Sequence, residues 1–104
     1  MKQGEIWWAN LPLPVGKRPV VLLSRDEAYS IRNAVTVAEV TRTIRGIPVE
    51  VLLGPEDGMP KKCAVNLDTI MTIRKELLTE RITLLRSDKL TDIKKAIKFA
   101  LDLG

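Results

Sequence analysis

The chain has 104 residues, enough for one domain that buries roughly two thirds of its unfolded surface without disulfide or metal staples. Apolar residues make up 45% and charged residues 29%, an ordinary soluble balance, and no apolar run approaches the about 20 residues that span a bilayer. Seventeen Lys and Arg against thirteen Asp and Glu give a net charge of +4, compatible with a polyanionic partner; the absence of histidine removes the usual general base and argues against a zinc site.

Gln3–Asn10 is predicted to be a first strand, with Ile6 and Trp8 on one face and Trp7 on the other. Adjacent tryptophans on a strand point opposite ways, so one belongs to the core and the other covers a second surface, either an interface or a stacking platform. Pro12-Leu13-Pro14-Val15-Gly16 is a loop by its paired prolines. It delivers Lys17 and Arg18 to Pro19 and an unbroken apolar run, and Val20–Ser24 reads as a fully buried second strand. Pro19 fixes its own φ and biases Arg18 towards an extended backbone, so the guanidinium leaves in a preset direction. Its planar fork suits a phosphate, but taken alone Arg18 reads first as an ion-pair former.

Arg25–Asn33 is a polar excursion with room for a helical turn. Ala34–Thr43 alternates as a strand, with Val35, Val37, Glu39, Thr41 and Thr43 on one face and Thr36, Ala38, Val40 and Arg42 on the other. Ile44–Pro48 reads as a tight reversal that makes Val49–Leu53 the hairpin partner of that strand. Gly54–Lys62 reads as loop, Cys63–Ile73 as one long strand, Arg74–Arg81 as a short helix-prone piece, and Ile82–Leu85 as a closing strand. Ser87 is placed to cap an amphipathic helix with Leu90, Ile93, Ile97, Ala100 and Leu101 on its apolar face and Lys89, Lys94, Lys95 and Lys98 in solvent. Cys63, the single cysteine, reads as a small buried core residue. The fold class is therefore mainly β with a C-terminal helix, in one domain over residues 1–104. Met1–Glu5 carries no apolar leader segment, so the expected location is cytoplasmic.

No Gly-rich phosphate loop, Rossmann fingerprint, zinc-finger spacing or nucleophile elbow is present. What remains near predicted strand ends is a set of phosphate-capable groups: Lys17, Arg18, Thr41, Arg42, Thr43 and Arg45, with Glu39 nearby. The order of pieces matters more than any one of them. A Gly-Glu-Ile-Trp start, Arg-Pro-Val-Val-Leu-Leu-Ser, a Val-Thr strand followed by Arg-Gly-Ile-Pro-Val-Glu-Val, Val-Asn-Leu-Asp and a Lys/Leu-rich terminal helix together resemble the MazF/PemK toxin family from Gly4 to Leu103.

The resemblance implies an SH3-like β-barrel of the MazF/PemK/CcdB type, homodimeric, soluble and without a membrane partner. It also implies cleavage of single-stranded RNA, no metal or other cofactor, and neutralisation by a cognate antitoxin protein, with which such toxins form DNA-binding complexes. The family's catalytic arginine and threonine fall on Arg18 and Thr41, with Lys17, Ser24, Arg42, Thr43 and Arg45 expected to contact substrate. RNA brings its own nucleophile, the 2′-hydroxyl, so positioning and charge stabilisation suffice, leaving a 2′,3′-cyclic phosphate and a 5′-hydroxyl. Glu39 is an outside candidate for the base and more simply a strand-end charge. The first loop, Pro12–Lys17, is shorter than in many members, and Asp68-Thr69 stands where an Asp-Gln pair is frequent, so the resemblance does not carry the cleavage sequence. Two alternatives share the barrel: a gyrase-poisoning toxin, which uses a tryptophan near its C-terminus where this chain has none, and a barrel that binds RNA or a peptide without cleaving.

Overall fold

A computed structural model describes residues 1–104. Seven antiparallel strands, β1 (Glu5–Asn10), β2 (Lys17–Leu22), β3 (Ala34–Thr41), β4 (Glu50–Leu53), β5 (Cys63–Asn66), β6 (Met71–Arg74) and β7 (Leu78–Leu84), are joined by short links. A single-turn helix α1 (Ala28–Ile31) follows β2, and α2 (Ser87–Ala100) closes the chain. The hydrogen-bonded order is β4-β5-β3-β2-β1-β7, with β6 also on β3, so the sheet curls into a barrel-like wall whose end strands do not pair. No helix is long and apolar enough to cross a membrane.

β3 is the spine because both its faces and both its edges are used. Val35 and Val37 pack with Val20, Leu22, Ala9 and Tyr29 on one face, while Ala38 and Val40 pack with Val21, Ile6, Val65 and Leu67 on the other. Burial of β2 and β3 on both faces explains the unbroken Val20-Val21-Leu22 run. α2 covers the second cluster by inserting Ile93, fully buried, and Ala96. Ile97 and Ala100 pack partly against it, and Leu101, expected inward, is exposed.

Several expectations are corrected. β2 starts at Lys17, not Val20, because Lys17, Arg18 and Pro19 pair with Asn10, Ala9 and Trp8 of β1. β4 is not the hairpin partner of β3. It pairs with β5, and β5 lies between them through Val40↔Val65 and Val51↔Val65. The long Cys63–Ile73 strand is broken by a 3-10 turn at Leu67–Thr69, where Asn66 Oδ1 accepts from Asp68 N at 2.9 Å and competes with the ladder. The helix-prone stretch after Arg74 becomes mostly β7, because antiparallel pairing of Leu78–Leu84 with β1 outweighs a weak helical preference. Ser87 is the first helical residue and not the cap; Arg86 holds the cap position without a side-chain bond.

Glu5 locks β1 to its surroundings. Although 7% exposed, its carboxylate accepts from Lys2 N at 3.1 Å, Trp7 Nε1 at 3.0 Å and Arg81 Nε of β7 at 3.0 Å. Burial alone would raise its pKa, but the bonds from Trp7, Lys2 and Arg81 outweigh it and hold the group below the ordinary 4.5. Its folded pKa being depressed, the stabilisation is present above about pH 4.5 and is lost as pH falls through the folded value. Glu5→Gln is expected to lower unfolding free energy at pH 7 by about 1.5–3 kcal/mol in urea titrations. The gap from wild type should narrow below pH 4.5; an equal gap at both ends of the pH range would contradict this account.

Candidate active site

The site begins where the β2–β3 ladder stops. The last pair is Val20↔Glu39, and beyond it β3 keeps a partner only on its other edge, through Val40↔Val65 and Thr41↔Ala64. Leu23 N donates to Thr36 O in β3, whereas Leu22 O accepts from Gly4 N on the opposite side. By alternation, the backbones of residues 19, 21 and 23 face β3. Position 19 is a proline, which has no N–H to donate, so the ladder ends there and the two strands part. Stepping out by two residues from Val20↔Glu39 places Arg18 across the gap from Thr41.

The resulting cleft, about 360 Å³, is open at one side and small for a ligand site. Trp8, Lys17, Arg18 and Pro19 form one wall and Val40, Thr41, Arg42 and Thr43 the other, closed off by Met59, Pro60, Lys61 and Cys63. Four of these are cations and none is acidic, so the cleft concentrates positive potential.

Arg18 forms the ion pair its sequence context suggests and keeps part of its fork open. Its Nη1 donates to Glu39 Oε1 at 2.8 Å, with the arginine side chain 38% exposed and the glutamate 12%. Nε and Nη2 have no protein partner and remain free for an anion. Glu39 is itself held from behind: its N–H donates to Thr69 Oγ1 at 3.0 Å, and Thr69 Oγ1 donates to Asn66 O at 2.6 Å. Thr41 Oγ1 accepts from Thr43 N at 3.1 Å, so its own proton is available to a substrate oxygen.

Of the residues expected to act, Lys17, Arg18, Thr41, Arg42 and Thr43 line the cleft together. Ser24 and Arg45 do not. Ser24 lies beyond the far end of β2, where its Oγ accepts from Thr36 N at 2.8 Å and its carbonyl from Tyr29 Oη at 2.9 Å, a structural junction. Arg45 sits in the β3–β4 connection, where its N–H and that of Gly46 bond the Glu50 carboxylate at 2.9–3.2 Å. Met59, Pro60 and Lys61 are cleft residues that sequence reasoning does not single out, and Trp8 is the one of the two adjacent tryptophans that lines the cleft. One signal existed: Pro60-Lys61-Lys62 sets paired cations beside a proline, as Lys17-Arg18-Pro19 does. No group of three Cys, Asp or Glu side chains is spaced to hold a metal ion.

The antiparallel wall with its terminal helix is a fold shared with a solved bacterial toxin. The chain belongs to the PemK-like, MazF-like toxin family of type II toxin-antitoxin systems, whose sequence profile matches residues 2–101. It is 39% identical over 101 residues to the probable endoribonuclease MazF5 of Mycobacterium tuberculosis, covering 96% of this chain and 92% of that one. The structure superposes on the Mycobacterium tuberculosis toxin MazF-mt6 with a TM-score of 0.89 at 31% identity, covering 96% and 98% of the two chains. A mycobacterial endoribonuclease solved in complex with its cognate antitoxin gives the same TM-score of 0.89 at 26% identity, over 100% of this chain and 97% of that one.

Cys63 lines the cleft as a buried thiol. Burial and the nearby Asp57 carboxylate both push its thiol pKa up, away from the reactive thiolate. Native protein at pH 7.5 is expected to take up iodoacetamide at least about tenfold more slowly than urea-unfolded protein by mass spectrometry; equal rates would place the thiol in solvent.

Proposed function

We propose that this protein is the toxin of a toxin-antitoxin pair and a metal-independent endoribonuclease that cuts single-stranded RNA. The observation that carries the reading is Arg18 facing Thr41 across a cleft lined by four cations and no acid. Nε and Nη2 of Arg18 fit the nonbridging oxygens of a scissile phosphate, and the Thr41 hydroxyl donates to the same group. The substrate's 2′-oxygen attacks phosphorus, the bond to the 5′-oxygen breaks, and the products are a 2′,3′-cyclic phosphate and a 5′-hydroxyl. A guanidinium is a poor base and Glu39 is engaged with it, so the 2′-hydroxyl proton leaves to solvent and the departing 5′-oxygen takes its proton from solvent. Glu39 orients the guanidinium. Lys17, Arg42 and Thr43 hold the flanking backbone. The protein acts in the cytoplasm, as a homodimer, and a cognate antitoxin shields the cleft; the related mycobacterial endoribonuclease bound to its antitoxin supports that partner.

Purified protein incubated with a long RNA in EDTA should leave ends carrying cyclic phosphate and 5′-hydroxyl. Arg18→Ala and Thr41→Ala should each lower the single-turnover rate by about 10²- to 10³-fold with their melting profiles retained. Abolition of wild-type cutting by EDTA would refute the metal-free mechanism. Wild-type rates in both variants would remove the site assignment, and a wild type that binds but never cuts would favour a binding barrel.

A further inference from the structure

The apolar half of the same cleft has its own chemistry, and the inference drawn from it rests on the ribonuclease reading above. Trp7 and Trp8 are adjacent but differently employed. Trp7 ties its indole N–H to Glu5 Oε1 at 3.0 Å. Trp8 has no hydrogen-bond partner in the protein, yet its N–H is not sealed from solvent, and its half-buried ring lines the cleft beside Pro19, Val40 and Met59. The Lys17 ammonium lies 5.1 Å from the ring centroid. None of the ion pairs employs Lys17, so that lysine is held over the ring by little else.

Tryptophan N–H groups normally find partners when buried, and an indole with an open donor edge and one flexible cover is a surface available to a ligand. We propose that Trp8 is the stacking platform for the nucleobase beside the scissile phosphate, and that the base displaces Lys17 from the ring onto the RNA backbone. The register supports this. Trp8 pairs with Pro19, next to Arg18, so Trp8 and Arg18 are diagonal neighbours, roughly 6 Å apart along the backbone. Alternation sends the two side chains to opposite faces of the β1–β2 ribbon, and both reach the cleft that opens at its end. Base and phosphate diverge from the sugar in the same manner.

Magnitudes favour the exchange. An exposed cation–π contact is worth about two- to fivefold in affinity, whereas base–aromatic stacking is worth about 5- to 150-fold per base. The released ammonium then gains a phosphate and expels a counterion.

The test starts from a cut site mapped with wild-type protein. A short single-stranded RNA spanning it is made with a 2′-O-methyl group at the cleaved nucleotide, which removes the nucleophile, and in versions lacking the base on either side. Removing one of these bases should weaken binding to wild type by about 5- to 150-fold. Trp8→Leu should bind intact RNA that much more weakly and be indifferent to the missing base, while Trp8→Phe keeps most of the affinity. Lys17→Gln should flatten the salt dependence of binding to intact RNA by about 0.7 in log–log slope. If Trp8→Leu does not fold, quenching of indole emission by intact but not base-deleted RNA, compared with Trp8→Phe, decides the matter. An equal base-deletion penalty in wild type and Trp8→Leu, or no differential quenching, overturns the platform while cutting persists. A wild type that neither binds nor cuts any RNA overturns the ribonuclease reading and the platform with it.

Discussion

The cleft in this molecule follows from one missing hydrogen-bond donor. β3 shares one edge with β2 and the other with β6 and then β5, and a full-length β2–β3 ladder would close the wall. Pro19 stands at a position whose backbone faces β3 and has nothing to donate, so pairing stops at Val20↔Glu39. The strands part while each keeps its other partner, β1 for β2 and β5 for β3. That outer pairing makes the gap a rigid cleft and not a frayed end, because every strand bordering it is tied on its far side.

The second constraint is electrostatic. Four cations around one small cleft repel one another, and an unanchored arginine among them would turn to solvent. Glu39 prevents this for Arg18 alone, occupying one nitrogen and leaving the rest of the fork directed. The support continues backwards through Thr69 to Asn66, in the 3-10 turn that interrupts the expected long strand. The break between β5 and β6 therefore carries a positioning group: an unbroken strand would send Thr69 into the ladder and leave the Glu39 amide without it. A charge pair this close to solvent adds little to stability, so its value lies in orientation.

How far the sequence could be read follows the range of the forces involved. The apolar runs and alternations mark β1, β2, β3 and α2, because burial patterns are written residue by residue. Pairing partners are not. Val49–Leu53 looks like the hairpin partner of β3 by adjacency, but β5 takes that edge, a competition decided by packing of Val65 and Leu67 in the core. Ser24 looks like a site residue by following the active strand, yet that strand runs away from the cleft and Ser24 ends as a junction with Thr36 and Tyr29. Met59, Pro60 and Lys61 look like loop, and reach the site only because β5 carries them back beside β3.

By itself, the sequence determined that the chain is one mainly β domain with a terminal amphipathic helix. It also determined that Arg18 leaves a proline-set extended backbone, while the pairing of Arg18 with Thr41 was only what the family resemblance implied. These are properties of local dihedral restriction, periodicity and motif order, and they survive without knowledge of contacts. Only the tertiary structure decided that Arg18 is steered by Glu39, that Trp8 and not Trp7 opens to the cleft, and that Lys61 completes the cationic ring. Each depends on which edge of β3 wins which neighbour. That is a global competition among strands for hydrogen-bonding edges, which no short window of residues encodes.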